Sequence, residues 1–201
     1  MYKSKFFIFA VMFLLGAANI FAQTDNKNQV EPSYEVLLQV LVASNSSSND
    51  KLPPSLSNVA KKLKSEYSFS SYNLAATFLE RISLNGIIEH KGLLNQLGQD
   101  QQKDLYFTDW NLGGLRPALN SKGQPVINFQ TFRFGARVPV VTSVVKDAKG
   151  DDNRVIQYEP IGVSVNRFNV PENAPTIVGS MSTQKTDEFI FLILTVRRAE
   201  F

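Results

Sequence analysis

The residues that could do chemistry in this sequence are few and scattered. There is one histidine, His90, and there is no cysteine. A zinc site would have to surround a single imidazole with carboxylates, an unusual donor set for a metal that favours Cys and His. A Ser–His nucleophile pair would also have to use His90. The nearest approach to a nucleophile elbow, Gly162-Val163-Ser164-Val165-Asn166, lacks the second glycine. His90 therefore reads as an ordinary residue at a strand edge. Asp147, Asp151 and Asp152 cluster, and such oxygens suit Ca²⁺, but their spacing is not that of a calcium loop and Lys146 and Lys149 would repel a cation. Gly113-Gly114 follows a strand pattern without a helix after it, so it fails the context required of a phosphate-cradling loop. Glu159, Glu172 and Asp109 could supply the carboxylate pair of a glycoside hydrolase, whose spacing is spatial and not sequential. Tyr106, Phe107 and Trp110 could form a platform for a sugar or peptide, although in a β-rich chain such aromatics more often belong to the core. The expectation is a non-enzymatic protein with no catalytic residues, no metal and no cofactor.

Two charged segments are the candidates for contact with a partner. The first is the polar run at 146–153, carrying Lys146, Asp147, Lys149, Asp151 and Asp152, with Gly150 for a turn. Exposed loops on rigid strands are where binding tends to be placed. The second is Lys61, Lys62 and Lys64, on the polar side of a helix, where a solvated face is the commoner reading.

The elements that must position these residues are mostly strands. Tyr34 to Ala43 alternates, with apolar residues on both faces, and predicts a strand covered on both sides. Pro53-Pro54-Ser55 opens a helix in which Leu56, Val59, Ala60, Leu63 and Tyr67 keep helical spacing. Tyr72 to about Leu84 predicts a second strand. Asn85-Gly86 suits a type I′ hairpin turn returning as Ile87 to Lys91. Leu94 to Lys103 reads as a loop and Asp104 to Leu112 as a strand. Val126 to Phe134, Val138 to Val145, Arg154 to Tyr158 and Ile161 to Val165 read as further strands, with turns at Asn120-Ser121-Lys122-Gly123 and at the charged run. Glu188 to Val196 is apolar on both faces, the mark of a central strand. The expected fold is mainly β within the α+β class: an antiparallel β-sandwich or partly closed barrel with one amphipathic helix.

The N-terminus sets the expected compartment. Lys3 and Lys5 precede an apolar run from Phe6 to Leu15, and small residues lead to Ala22. This is the order of a secretory signal peptide cleaved after Ala22, and the run is too short for a spanning helix. The expected organisation is a signal at 1–22, a flexible leader at 23–32 and a single β-rich domain at 33–201. With the signal go two of the 21 basic residues, leaving 19 against 18 acidic. The near-neutral remainder argues against nucleic acid as a partner. No cysteine follows the apolar run, so a lipid-modified N-terminal Cys is excluded, although membrane association by other means is not. Export without disulfides points to a bacterial cell-envelope protein, in the periplasm or at the cell surface.

Residues 126–198 resemble the C-terminal β-domain of the secretins, the ring-forming outer-membrane channels of bacterial type II and III secretion and pilus systems. The likeness rests on Gly135-Ala136-Arg137-Val138-Pro139-Val140-Val141-Thr142-Ser143, then Tyr158-Glu159-Pro160-Ile161-Gly162-Val163, then Thr176-Ile177-Val178-Gly179 and Phe189 to Arg197. A Pro expected soon after Val165 stands instead at Pro171, and the Gly- and Pro-rich lip segment is missing. The resemblance thus implies a small relative of that β-domain and not a gated pore. A looser likeness, through Phe69, Tyr72 and Leu74, is to small exported bacterial proteins of unknown function and implies no activity. The leading expectation is an exported envelope protein that acts by protein–protein contact in an envelope or secretion-related assembly, with oligomerisation left open. The alternatives are a small outer-membrane β-barrel and a secreted carbohydrate-binding or hydrolytic domain.

Overall fold

A computed structural model describes residues 31–45, 52–94, 105–183 and 187–200. The expected signal at 1–22, nearly all of the leader, and most of the polar runs at 44–50 and 94–103 lie outside the described residues. Among the described residues, no helix is long and apolar enough to cross a membrane.

The first element of the described residues is β1 (Ser33–Ser44), whose alternation buries Val36, Leu38, Val40 and Val42 on one face. A single 3-10 turn (Pro54–Leu56) then leads into α1 (Ser57–Glu66). Pro54 suits this start because its fixed φ favours the first helical turn and its missing N–H is not needed there. Helix α1 is too short to be stable alone in water. Leu56, Val59 and Leu63 fix it by packing on Leu41, Ala43, Tyr72, Phe191 and Ile193. Each such side chain contributes ~1.5–3 kcal/mol when fully buried.

The remaining strands are β2 (Ser71–Ser83), β3 (Ile87–Leu94), β4 (Tyr106–Gly113), β5 (Arg116–Leu119), β6 (Pro125–Lys146), β7 (Asp152–Pro171), β8 (Thr176–Ser182) and β9 (Glu188–Arg198). They form two antiparallel sheets. Sheet A has the order β2-β1-β9-β8 and sheet B the order β3-β4-β6-β5, with β7 also paired to β6. Their inner faces share one apolar core, which joins Val36, Leu38, Leu192 and Leu194 of sheet A to Trp110, Leu112, Phe132 and Phe134 of sheet B. The described strands do not close into a barrel, so of the two expected architectures the sandwich is the one formed. Helix α1 lies on the outer face of sheet A.

Strand β9 is central, flanked by β1 and β8, and Ile190 to Leu194 are fully buried. That agrees with its two apolar faces. The hairpin expected at Asn85-Gly86 is corrected. Gly86 N–H donates to Ser83 O at 3.1 Å, which centres the turn on Leu84 and Asn85, and of these only Asn85 has a positive φ, of 55°. A type I′ turn needs both central residues there. The chain instead turns a corner between sheets: β2 pairs with β1, and β3 pairs with β4. Asn85 N–H donates to Leu115 O at 3.0 Å, and Arg116 Nε–H donates to Asn85 Oδ1 at 2.8 Å, tying the corner to sheet B. A second correction is length. The four segments expected between Val126 and Val165 are two continuous strands of 22 and 20 residues.

Candidate functional site

The two sheets differ in how their outer faces are finished. On sheet A, α1 covers one end and a charged clasp occupies the other. Glu35 stands opposite Arg81 on one side and Arg197 on the other. It accepts hydrogen bonds from Arg197 Nε at 2.7 Å and Arg81 Nη2 at 3.3 Å. The bond from Arg197, then that from Arg81, holds the Glu35 carboxyl below the usual carboxylate range.

The outer face of sheet B has no helix over it among the described residues. Along β6 the even positions Phe132, Phe134, Ala136 and Val138 are buried, so period 2 turns Arg133, Gly135 and Arg137 outward. Their neighbours follow from register. Asp109 and Gly162 flank Gly135, Phe107 and Pro160 flank Arg137, and Lys91 stands beside Asp109. Lys91, Phe107, Asp109, Arg133, Arg137 and Pro160 line a depression of about 630 Å³. Gly135 makes room for the Asp109 carboxylate: a Cβ there would lie 2.7 Å from Asp109 Oδ1, so the carboxylate leans over bare backbone. Among the described residues no carboxylate oxygen lies within 4.0 Å of Lys91, Arg133 or Arg137. Phe107 and Tyr158 meet edge to face at 5.2 Å beside the Arg137 end, 43% and 39% exposed.

From this depression β6 and β7 run on together. Among the described residues, β4 pairs with β6 only as far as Phe107↔Arg137, whereas β6 and β7 stay paired to Lys146↔Asp152. Among the described residues, the segments 138–146 and 152–160 are thus a two-stranded ribbon that extends past β4. A bulge lies between Val141 and Ser143, with Thr142 Oγ1 donating to Val155 O at 3.2 Å. Bulges of this kind twist a free edge away from flat pairing. Val141, Val144, Val145 and Val155 are 42–54% exposed on the ribbon.

The first candidate segment lies at the ribbon's tip. Lys146, Asp147, Lys149, Asp151 and Asp152 are all exposed there. Asp147 Oδ1 accepts the N–H groups of Lys149 at 2.8 Å and Asp151 at 2.9 Å, so this carboxylate is engaged in shaping the turn. Gly150 closes the turn at φ 87°. The turn between β5 and β6 is built the same way: Asn120 Oδ1 accepts from Lys122 and Gln124, and Gly123 has φ 73°. Lys61, Lys62 and Lys64 are exposed on α1, against the other sheet. Lys62 approaches Glu66 at 4.0 Å, and Lys64 lies over the Tyr72 ring at 5.9 Å. No described contact joins the two lysine groups.

The residues considered for catalysis are dispersed. His90 lies on the edge strand β3, its Nδ1 3.0 Å from Glu80 Oε1 and its ring beside those of Phe78 and Trp110. Tyr106 and Trp110 are core, while Phe107 is exposed. Of the three candidate carboxylates, Asp109 faces the depression, Glu159 lies opposite Val138 on the other face of the ribbon, and Glu172 lies in the turn after β7. The basic depression itself was not anticipated. Its signal is the outward alternation Arg133-x-Gly135-x-Arg137, visible only once the whole of 125–146 is read as one strand.

No protein-family model matches this chain, and no curated protein matches it.

Proposed function

We propose that this chain is an exported bacterial cell-envelope protein that works by protein–protein contact, without catalysis, through the β6–β7 ribbon and its root on sheet B. The observation that carries the reading is the ribbon itself. Two strands outrun their neighbours and hold Val141, Val144, Val145 and Val155 in water. Successive pairs alternate faces, so Val141 and Val144 lie on one side and Val145 and Val155 on the other, and a two-stranded ribbon bare on both sides is marginal in water unless something covers it. The basic, apolar and small-residue order of residues 1–22 supports export. The likeness of the same hairpin to the secretins supports a secretion-related assembly. The outer-membrane barrel loses support, because a lipid-facing sheet must close on itself and the described strands form two sheets.

The test is residue-specific photocrosslinking in intact cells. A photoreactive residue at Val144 should give a discrete adduct, identified by mass spectrometry as a protein of the envelope fraction, while the same group at Lys61 should not. No adduct at Val144, or equal adducts at both positions, would overturn the reading.

A further inference from the structure

The same face carries a second, more specific feature. Sheet A pairs its outward arginines, since Arg81 and Arg197 both reach Glu35. On sheet B the equivalent carboxylate, Asp109, leans over Gly135 and has no cation of the described residues within 4.0 Å. Arg133 and Arg137 stand four residues apart on one face of β6, which places their Cα atoms about 13 Å apart at 3.3 Å per residue. Between them lies a floor of Gly135 and Gly162, where backbone is bare of side chains. The face therefore offers positive charge at both ends, an acceptor at the centre and Lys91 at the side.

We propose that this depression receives an acidic, extended segment of the protein partner, with carboxylates about four residues apart seated on Arg133 and Arg137. This rests on the protein-contact reading above and names the partner's chemistry. Charge complementarity selects the occupant: three cations face one anion, and guanidinium binds carboxylate through paired N–H donors. An extended chain repeats its side chains every two residues on one side, so carboxylates at positions one and five match the two arginines. A main-chain N–H of that segment meets the Asp109 carboxylate. The exposed rings of Phe107 and Tyr158 take an apolar residue beyond the Arg137 end. The volume of the depression, about 630 Å³, suits a few residues of peptide.

The experiment is fluorescence anisotropy with the full chain and a labelled Gly-rich nonapeptide carrying Glu at positions three and seven. Binding should be saturable and should weaken as salt is raised. Arg133→Gln and Arg137→Gln should each weaken it about tenfold, and the pair together should abolish it. Lys146→Gln with Lys149→Gln, at the distant tip, should leave it within twofold. Circular dichroism of every variant should match the parent, because exposed side chains contribute little to folding. Undiminished binding by Arg133→Gln/Arg137→Gln would overturn the proposal. So would stronger binding to anionic phosphatidylglycerol vesicles or single-stranded DNA than to the peptide. The crosslink at Val144 reads the ribbon separately, so loss of the peptide site with the crosslink retained removes this inference and leaves the protein-contact reading standing.

Discussion

The outer faces of the two sheets meet the same problem, arginines on a solvated β-surface, and solve it differently. On sheet A the strand β1 places Glu35 between Arg81 and Arg197, and the three side chains close into a clasp. On sheet B the register brings Asp109 opposite a glycine, and the guanidinium groups of Arg133 and Arg137 are left without a carboxylate of the described residues in reach. The rest of each face agrees with its charges. Sheet A is finished by a helix that seals Leu41, Phe191 and Ile193, whereas sheet B ends in an exposed ribbon. Satisfied charge accompanies the part of the molecule that holds itself together. Charge without a described counter-charge and exposed valines gather on the face proposed above for partner contact.

The strongest way to test that contrast is to place one charge in each region. Leu192→Asp on β9 buries a carboxylate with no cation near it in the shared core, and should cost more than about 4 kcal/mol, enough to unfold the domain. Val144→Asp on the ribbon meets water and should stay within about 0.5 kcal/mol. Urea denaturation followed by circular dichroism reads both, and equal costs would dissolve the distinction.

A smaller effect comes from the matched turns. Gly123 and Gly150 both have positive φ, and a Cβ at either would meet nothing within 4 Å. Alanine should therefore cost only the left-handed backbone strain, about 1–2 kcal/mol locally. Gly123→Ala should lower the global melting temperature, because that turn joins strands of the sheet. Gly150→Ala should speed amide exchange at the ribbon tip and leave the melting temperature unchanged, because a projecting ribbon opens on its own. A matching fall in melting temperature would show that the ribbon folds as one unit with the sandwich.

The smallest effect is electrostatic. The Glu35 carboxyl is lowered in the folded state by Arg197 and Arg81. Its contribution is present at pH values above the ordinary carboxylate range, and is lost as the pH falls through the lower folded value. Glu35→Gln should remove that part of the acid sensitivity of stability, an effect that salt also reduces. Arg133→Gln should leave the acid limb of the stability profile as it is. A change of acid sensitivity at Arg133 would mean that it has a carboxylate partner after all.

How much of this was legible in the sequence varies with the range of the interaction. The period of β1 and of β9 revealed strands with two covered faces, and the spacing of Leu56, Val59 and Leu63 revealed α1, because each pattern is complete within one element. The signals at Lys122-Gly123 and Lys149-Gly150 named turns for the same reason. Asn85-Gly86 misled, since a dipeptide that tolerates positive φ does not decide whether the next strand returns to the same sheet. Splitting β6 and β7 at Gly135, Pro139 and Pro160 hid the outward row of Arg133 and Arg137. Those breaks are tolerated because the strands are held by each other, and β7 is paired on one side only.

The sequence by itself determined the β-rich class, the helix that follows Pro53-Pro54, the two-faced central strand and the charged tip. Each follows from side-chain alternation or from local backbone preference over a dozen residues or fewer. Only the tertiary structure decided that β2 and β3 belong to different sheets, that Glu35 finds Arg197 from 162 positions away, and that Asp109 faces a glycine while two arginines beside it face solvent. Strand partners and charge partners are chosen across the sheet, by register and by what the common core can bury. Periodicity within one strand carries no record of either.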